Sequence, residues 1–372
     1  MKRVLIIFLL AFGIVFYGCN KSEDATQTAN NSDIPADPSG VTVPNTTNNN
    51  VTPTATLQPQ NANNPSRVQL NMTGLLMPGT TTPIQLVWNT ANPQNSNIFV
   101  TDNGVVKGLK VTQVSTGTQL TADVVFVVDN SGSMGEEADT VAASIVEFAN
   151  FLVSQGLNVQ FGVVGQYGTV NGALNLTSAQ NLSNYLNRQY YTGTSRTVGY
   201  SGPDSATLAN KGGYYFHNAG DENGVVGVLF ADSNFSWRSG AQRVFVNFTD
   251  EPTQNYYTPY WNAAYMCAQL GGRASVHTVY TGPADTSYSL NGSWSASQER
   301  PWWMSLCSGG TFVIFPQDAS GMDLKNLPVA GALANSYLVE FVNTVSGVTQ
   351  HTVIITVIEQ GADGKRTYTW TY

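Results

Sequence analysis

Charge is scarce in this chain: charged side chains make up 11% of its 372 residues, and the net charge is −8. No basic run interleaves with aromatic residues, so the electrostatic footprint of a nucleic-acid binder is missing and no nucleic-acid partner is expected. Histidine occurs three times, as His217, His277 and His351. None lies in a motif that would make it the oriented base of a serine hydrolase, which excludes that chemistry. There is no Gly-x-x-x-x-Gly-Lys loop to cradle phosphates, which excludes a P-loop ATPase. Cysteine also occurs three times, with no zinc-ligand spacing among the cysteines and histidines. Beyond the N-terminus no segment is long and apolar enough to cross a bilayer.

The one long apolar run, Val4 to Tyr17, opens the chain in "MKRVLIIFLLAFGIVFYGCN". It follows two cations and has the length of an export signal's core rather than a membrane span, so residues 1–18 are expected to be a signal peptide. The Gly18-Cys19 ending resembles the lipobox of bacterial lipoproteins, with Phe16 and Tyr17 where that motif usually carries Leu-Ala-like residues. The resemblance implies that Cys19 is lipidated. An acyl anchor would then hold the exported protein on a membrane of the bacterial cell envelope, with surface exposure as one outcome. Cys267 and Cys307 remain as an even pair in an oxidising setting, either bonded or two buried thiols. Each lies near the end of a helix-like segment preceding a strand, and those strands are consecutive. That favours a structural staple over reactive cysteines.

Residues 19–66 are Asn, Thr, Ser, Pro, Ala and Asp with almost no large apolar side chain, as in "NTTNNNVTPTATLQPQNANNPS". Such a composition reads as a disordered tether, with a root-mean-square span of about 35 to 40 Å. From 67 to 120 short alternating runs appear, and Asp102-Asn103-Gly104 between apolar runs signals a hairpin. Residues 336–372 return to the same style in "SYLVEFVN", "QHTVIITVIEQ" and "KRTYTWTY". Neither flank is large enough for a good core. They are expected to combine into one β-sandwich with the middle of the chain inserted between them, two separate β-modules being the alternative.

Between 121 and 335 the rhythm changes. The near-continuous apolar runs 124–129, 158–165, 243–250, 274–282 and 310–316 alternate with helix-like stretches. One stretch carries Val141, Ile145, Phe148 and Leu152 on a stripe, and another is expected to begin with Thr258 before Pro259 and to stop at Gly271-Gly272. This pattern predicts an α/β domain with a doubly wound, mostly parallel sheet covered on both faces, whose ligand crevice lies beyond the carboxyl ends of the strands.

At that edge Asp129 ends a strand in "VVFVVDNSGSM", Ser131 and Ser133 follow at every second position, and Asp250 ends another strand in "NFTDEP". An all-oxygen set with neutral hydroxyls suits a hard cation. Ser133-x-x-Glu136 also fits a helix capping box, which would explain Ser133 but not Asp129, Ser131 and Asp250 together. Here the sequence resembles the von Willebrand factor A domain and its metal-ion-dependent adhesion site. The family's Asp-x-Ser-x-Ser signature stands as Asp129-Asn130-Ser131-Gly132-Ser133, and its later aspartate matches Asp250.

The resemblance implies a Mg2+ site, with Mn2+ or Ca2+ as substitutes, and a fold of the doubly wound, Rossmann-like kind. The family's third loop usually supplies a threonine. No matching Gly-Thr stretch stands here, but "GDENGVVGVLFA" resembles the integrin β-type variant in which a glutamate serves, pointing to Glu222. Asp221 is next in order, and Thr192, Thr194 and Thr197 are weaker candidates.

The function implied is recruitment rather than turnover: a protein partner completes the ion's shell with an Asp or Glu carboxylate. The chain is therefore expected not to be an enzyme. A structural envelope lipoprotein, with the metal only stabilising the fold, is the alternative. Loops rich in Tyr, Ser, Gly and Asn, from Gln166 to Gly220 and in "EPTQNYYTPYW" and "TGPADTSYSLNGSWSASQERPWW", would form the specificity surface, the alternative being that Trp261, Trp302 and Trp303 pack helices onto the sheet.

Overall fold

A computed structural model describes residues 30–80, 82–113, 121–135, 137–186, 199–200, 208, 211, 222–254, 261–282, 298–326 and 328–372. Cys19 and the signal sequence lie outside these residues, as do Asp221 and Thr192, Thr194 and Thr197.

The first strands are β1 (Ala55–Leu57), β2 (Arg67–Met72), β3 (Ile98–Asp102), β4 (Val105–Val106) and β5 (Lys110–Gln113). The middle of the chain adds β6 (Thr121–Asp129), α1 (Ala138–Ser154), β7 (Asn158–Gln166), β8 (Val170–Thr177), α2 (Ala179–Leu186) and β9 (Gly199–Tyr200). It continues with α3 (Gly224–Asn234), β10 (Gln242–Thr249), β11 (Thr253–Gln254), α4 (Ala263–Leu270) and β12 (Ala274–Tyr280). β13 (Gln298–Glu299), α5 (Trp303–Ser308), β14 (Phe312–Ile314) and α6 (Pro328–Ala334) complete it. The chain closes with β15 (Tyr337–Val342), β16 (His351–Glu359) and β17 (Ala362–Trp370).

The central sheet runs in the order β14-β12-β10-β6-β7-β8-β9. All its pairs are parallel except β7 with β8. Alternation along β6 explains the two layers. Val124, Phe126 and Val128 enter one core with α1, α2 and α6, while Val125 and Val127 enter another with α3, α4 and Met304 of α5. On α1 the predicted stripe of Val141, Ile145, Phe148 and Leu152 is buried throughout. The chain leaves β6 towards β7 on one side and returns at β10 on the other, so the switch in winding lies between β6 and β10. This is the doubly wound architecture that the alternating runs predict.

The flanks do combine. One antiparallel sheet has the order β1-β2-β15-β5 and the other β17-β16-β3-β4, and they enclose a single core that includes Leu70, Phe99, Val100, Phe341 and Ile355. The predicted hairpin joins β3 to β4, with Asn103 and Gly104 at φ of 45° and 84°, as a two-residue turn of this hand requires.

Four expectations need correction. Residues 30–66 are not a free tether: Ile34 and Ala55 are buried, β1 pairs with β2, and Val41, Val43 and Val51 pack against the sandwich core. Polar side chains that look uncommitted in the sequence are committed here. The Asp363 carboxylate accepts the backbone N–H groups of Thr47, Asn48 and Asn49, and Asp37 meets the buried Lys107 at 2.6 Å. Second, the stretch read as loop from Gln166 contains β8 and α2, whose Ala173, Leu174, Leu182 and Leu186 are buried. Third, the helix expected from Thr258 starts at Ala263, because the Asn262 side chain caps it by accepting from Tyr265 N; its end at Gly271 is as predicted. Fourth, Ser133 is no helix cap, since it opens a separate 3-10 turn and α1 begins five residues later.

Candidate metal centre

β6 ends on Asp129 because the strand's apolar run stops there, and the carboxylate is fixed from two directions. Oδ1 accepts Ser131 N at 2.9 Å, which folds the Asp-Asn-Ser turn back on itself, and Oδ2 accepts Thr249 Oγ1 at 2.8 Å from the end of β10. The two serine hydroxyls lie 2.9 Å apart, and Ser133 Oγ donates to Asp250 Oδ1 at 3.1 Å. Asp129, Ser131 and Asp250 are buried, while Ser133 is exposed. Glu222 arrives from the turn before α3, and carboxylate oxygens of Asp129, Glu222 and Asp250 all lie within 4.8 Å of one another.

These five residues form one cluster, which includes Glu222 of the third loop. Among the described residues none of the three carboxylates pairs with a cationic side chain. Burial pushes Asp129 up to about 7, with Asp250 adding repulsion. Burial, then repulsion from Asp129, Glu251 and Asp250, pushes Glu222 up to about 9. Asp250 is raised by burial against the pull of Ser133. Three carboxyl groups and two hydroxyls crowded together, with no counter-charge among the described residues, are a donor set that could hold a metal ion, and their oxygen-only chemistry fits a hard divalent cation.

The sequence missed the groups that hold this cluster in place. Thr249 gives no signal beyond its position before Asp250. Asn223 caps α3 by accepting Val225 N at 3.0 Å, a role legible from an Asn standing before an apolar run. Gln166 and Gln254, which grip Asn223 and Glu222, carry no sequence signal at all. Cys267 and Cys307 are bonded, with Cα atoms 6.1 Å apart, and join α4 to α5. Trp302 is buried and stacks on Phe312, so it serves packing, while Trp303 is exposed and Trp261 is partly buried against Tyr265. Most of the other loop residues expected around the site lie outside the described residues.

No family model matches the chain, and no curated protein matches it. Solved structures similar to it include the SpRpn10 VWA domain, at 13% identity and a TM-score of 0.33, over 58% of this chain and 97% of that one. A von Willebrand factor type A protein from Catenulispora acidiphila is 12% identical with a TM-score of 0.34, over 75% of each chain. The pilus adhesin SpaC from Lactobacillus rhamnosus GG is 10% identical with a TM-score of 0.38, over 94% of this chain and 50% of that one. Likenesses this weak add nothing to the strand order and cluster described above, on which the fold assignment rests.

Proposed function

We propose that the chain is an exported, lipid-anchored envelope protein that recruits a protein partner through a divalent cation held by Asp129, Ser131, Ser133, Glu222 and Asp250. The observation carrying this reading is the convergence of three carboxylates from three separate loops within 4.8 Å at the switch point of the sheet. Ionising more than one of these crowded groups is unfavourable, and a cation relieves it. Mg2+ is the ion proposed, with Mn2+ or Ca2+ able to substitute. The ion would supply Lewis acidity at the sheet edge. The chain's own residues orient the carboxylates through Thr249 and the Ser131 N–H, and the exposed Ser133 marks the side from which a partner's Asp or Glu approaches. Binding rather than turnover is the role proposed.

Anchoring at Cys19 rests on the sequence alone. Among the described residues no helix is long and apolar enough to cross a membrane.

The test is a pull-down from the native envelope with and without EDTA, using the wild type and the Asp129→Ala/Ser131→Ala double variant. Capture that requires cation and is lost in the variant supports the reading. If EDTA leaves capture intact but lowers the melting temperature, the metal serves the fold and the structural-lipoprotein alternative holds instead.

A further inference from the structure

Asn223 stands beside Glu222, is almost wholly buried, and uses every polar group it has. Its N–H donates to Gln166 Oε1 at 2.9 Å, and its Oδ1 caps α3. Its Nδ2 donates to Gln254 O at 2.7 Å and to Trp261 O at 3.0 Å. The two glutamines belong to the elements that deliver the other carboxylates. Gln166 is the strand partner of Asp129 and accepts Asn130 N on its main-chain oxygen, whereas Gln254 follows Asp250 by four residues in β11. Gln254 also grips Glu222 directly. Its N–H donates to Glu222 O at 2.8 Å, and its Oε1 accepts Glu222 N at 3.3 Å. The Glu222 loop is therefore tied on one side to the Asp129 strand and on the other to the Asp250 loop, with Asn223 as the joint.

We propose that Asn223, locked between Gln166 and Gln254, is a positioning residue that holds Glu222 at a fixed distance from Asp129 and Asp250 and so sets which divalent cation the site prefers. The inference rests on the cation-binding reading above. Mg2+ demands short, nearly octahedral oxygen contacts of about 2.0 to 2.1 Å, while Ca2+ accepts about 2.3 to 2.6 Å in looser geometries. A clamped third loop keeps the cage small. Releasing it lets the cage dilate, which harms the small ion more than the large one. Partners of metal ligands commonly govern affinity by about 10- to 100-fold.

Asn223→Ser separates this role from helix capping, because serine is itself a good cap but lacks the amide that reaches Gln254 and Trp261. Gln166→Met, nearly isosteric, removes the acceptor of the Asn223 N–H from the opposite side. Mg2+ and Ca2+ titrations by calorimetry on the wild type and both variants, with melting temperatures alongside, decide the matter. The expected result is a fall of about tenfold or more in Mg2+ affinity and less than about threefold in Ca2+ affinity in both variants. Equal losses for the two ions, or no loss in a folded variant, overturn the positioning role while leaving the cation site standing. Wild-type protein that binds neither ion overturns the cation site and this inference with it. If Asn223→Ser does not fold, the ratio of Mg2+ to Ca2+ affinity in Gln166→Met decides by the same criteria.

Discussion

Asp129 and Glu222 give the cation-free protein a pH dependence of their own. Both titrate near 4 in an unfolded chain, but the fold holds their protons up to about 7 and about 9. Across that window the native state binds more protons than the unfolded state, so cation-free stability falls as pH rises from about 4 to about 9. Melting in EDTA at pH 5, 7 and 9 should show this decline. Glu222→Gln should flatten the upper part of it, and saturating Mg2+ should reverse it by binding the ionised set. A decline of the same size in Glu222→Gln would show that other groups cause it. Asp129, Ser131, Ser133 and Asp250 were legible from the sequence because strand ends and a short spacing announce them. Glu222 was legible only through resemblance, since nothing in "GDENG" says which acid turns towards the sheet.

Two elements carry their own predictions. α3 begins hard against β10: a Cβ on Gly224 would stand 2.3 Å from Asn247 Oδ1, so the glycine is there for close approach rather than for a turn. Gly224→Ala should destabilise by about 1 to 3 kcal/mol through overpacking, measured by denaturant unfolding, and should weaken cation binding because Glu222 and Asn223 are displaced with the helix start. The Cys267–Cys307 bond closes a loop spanning 40 positions between α4 and α5. Chain entropy alone assigns it about 4 kcal/mol, so a Cys267→Ser/Cys307→Ser variant should lose up to that amount and melt lower in non-reducing buffer. The helix that follows Asp250 shows where pattern reading stops. Its C-terminal glycine was visible, but the choice of Asn262 over Thr258 as its start depends on which side chain meets Tyr265 N.

For the whole molecule, residues 30–66 bind the sandwich as a strap. Burial disfavours the charged form of Asp363, but hydrogen bonds from Asn48, Asn49 and Thr47 outweigh it and hold the carboxyl down at about 2. That hold is present above about pH 4 and is lost as pH falls towards 2. Asp363→Ala should leave cation affinity unchanged while exposing residues 30–57 to limited proteolysis, read by mass spectrometry of the fragments. If the strap resists cleavage as well as the wild type does, the Asp33 contacts with Arg67 and Lys110 and the Asp37 contact with Lys107 suffice to hold it. A strap fastened in this way carries the folded body back to residue 30.

The sequence by itself determined what repeats locally. Alternating apolar strands and a helical stripe point to a two-faced parallel sheet, and an aspartate followed by spaced serines marks its ligand edge. Whether the two β-rich flanks share one core or form separate modules stayed open until β2 paired with β15 and β3 with β16. Tertiary structure decided whatever depends on a partner far along the chain. The strap is ordered because Asp363 lies more than 300 positions away from Thr47 in sequence and beside it in space. Glu222 joins the site because Gln166 and Gln254, which carry no local signal, meet Asn223 across three loops. Local pattern fixes which faces are apolar, while the pairing of buried polar groups is settled only when the chain brings them together.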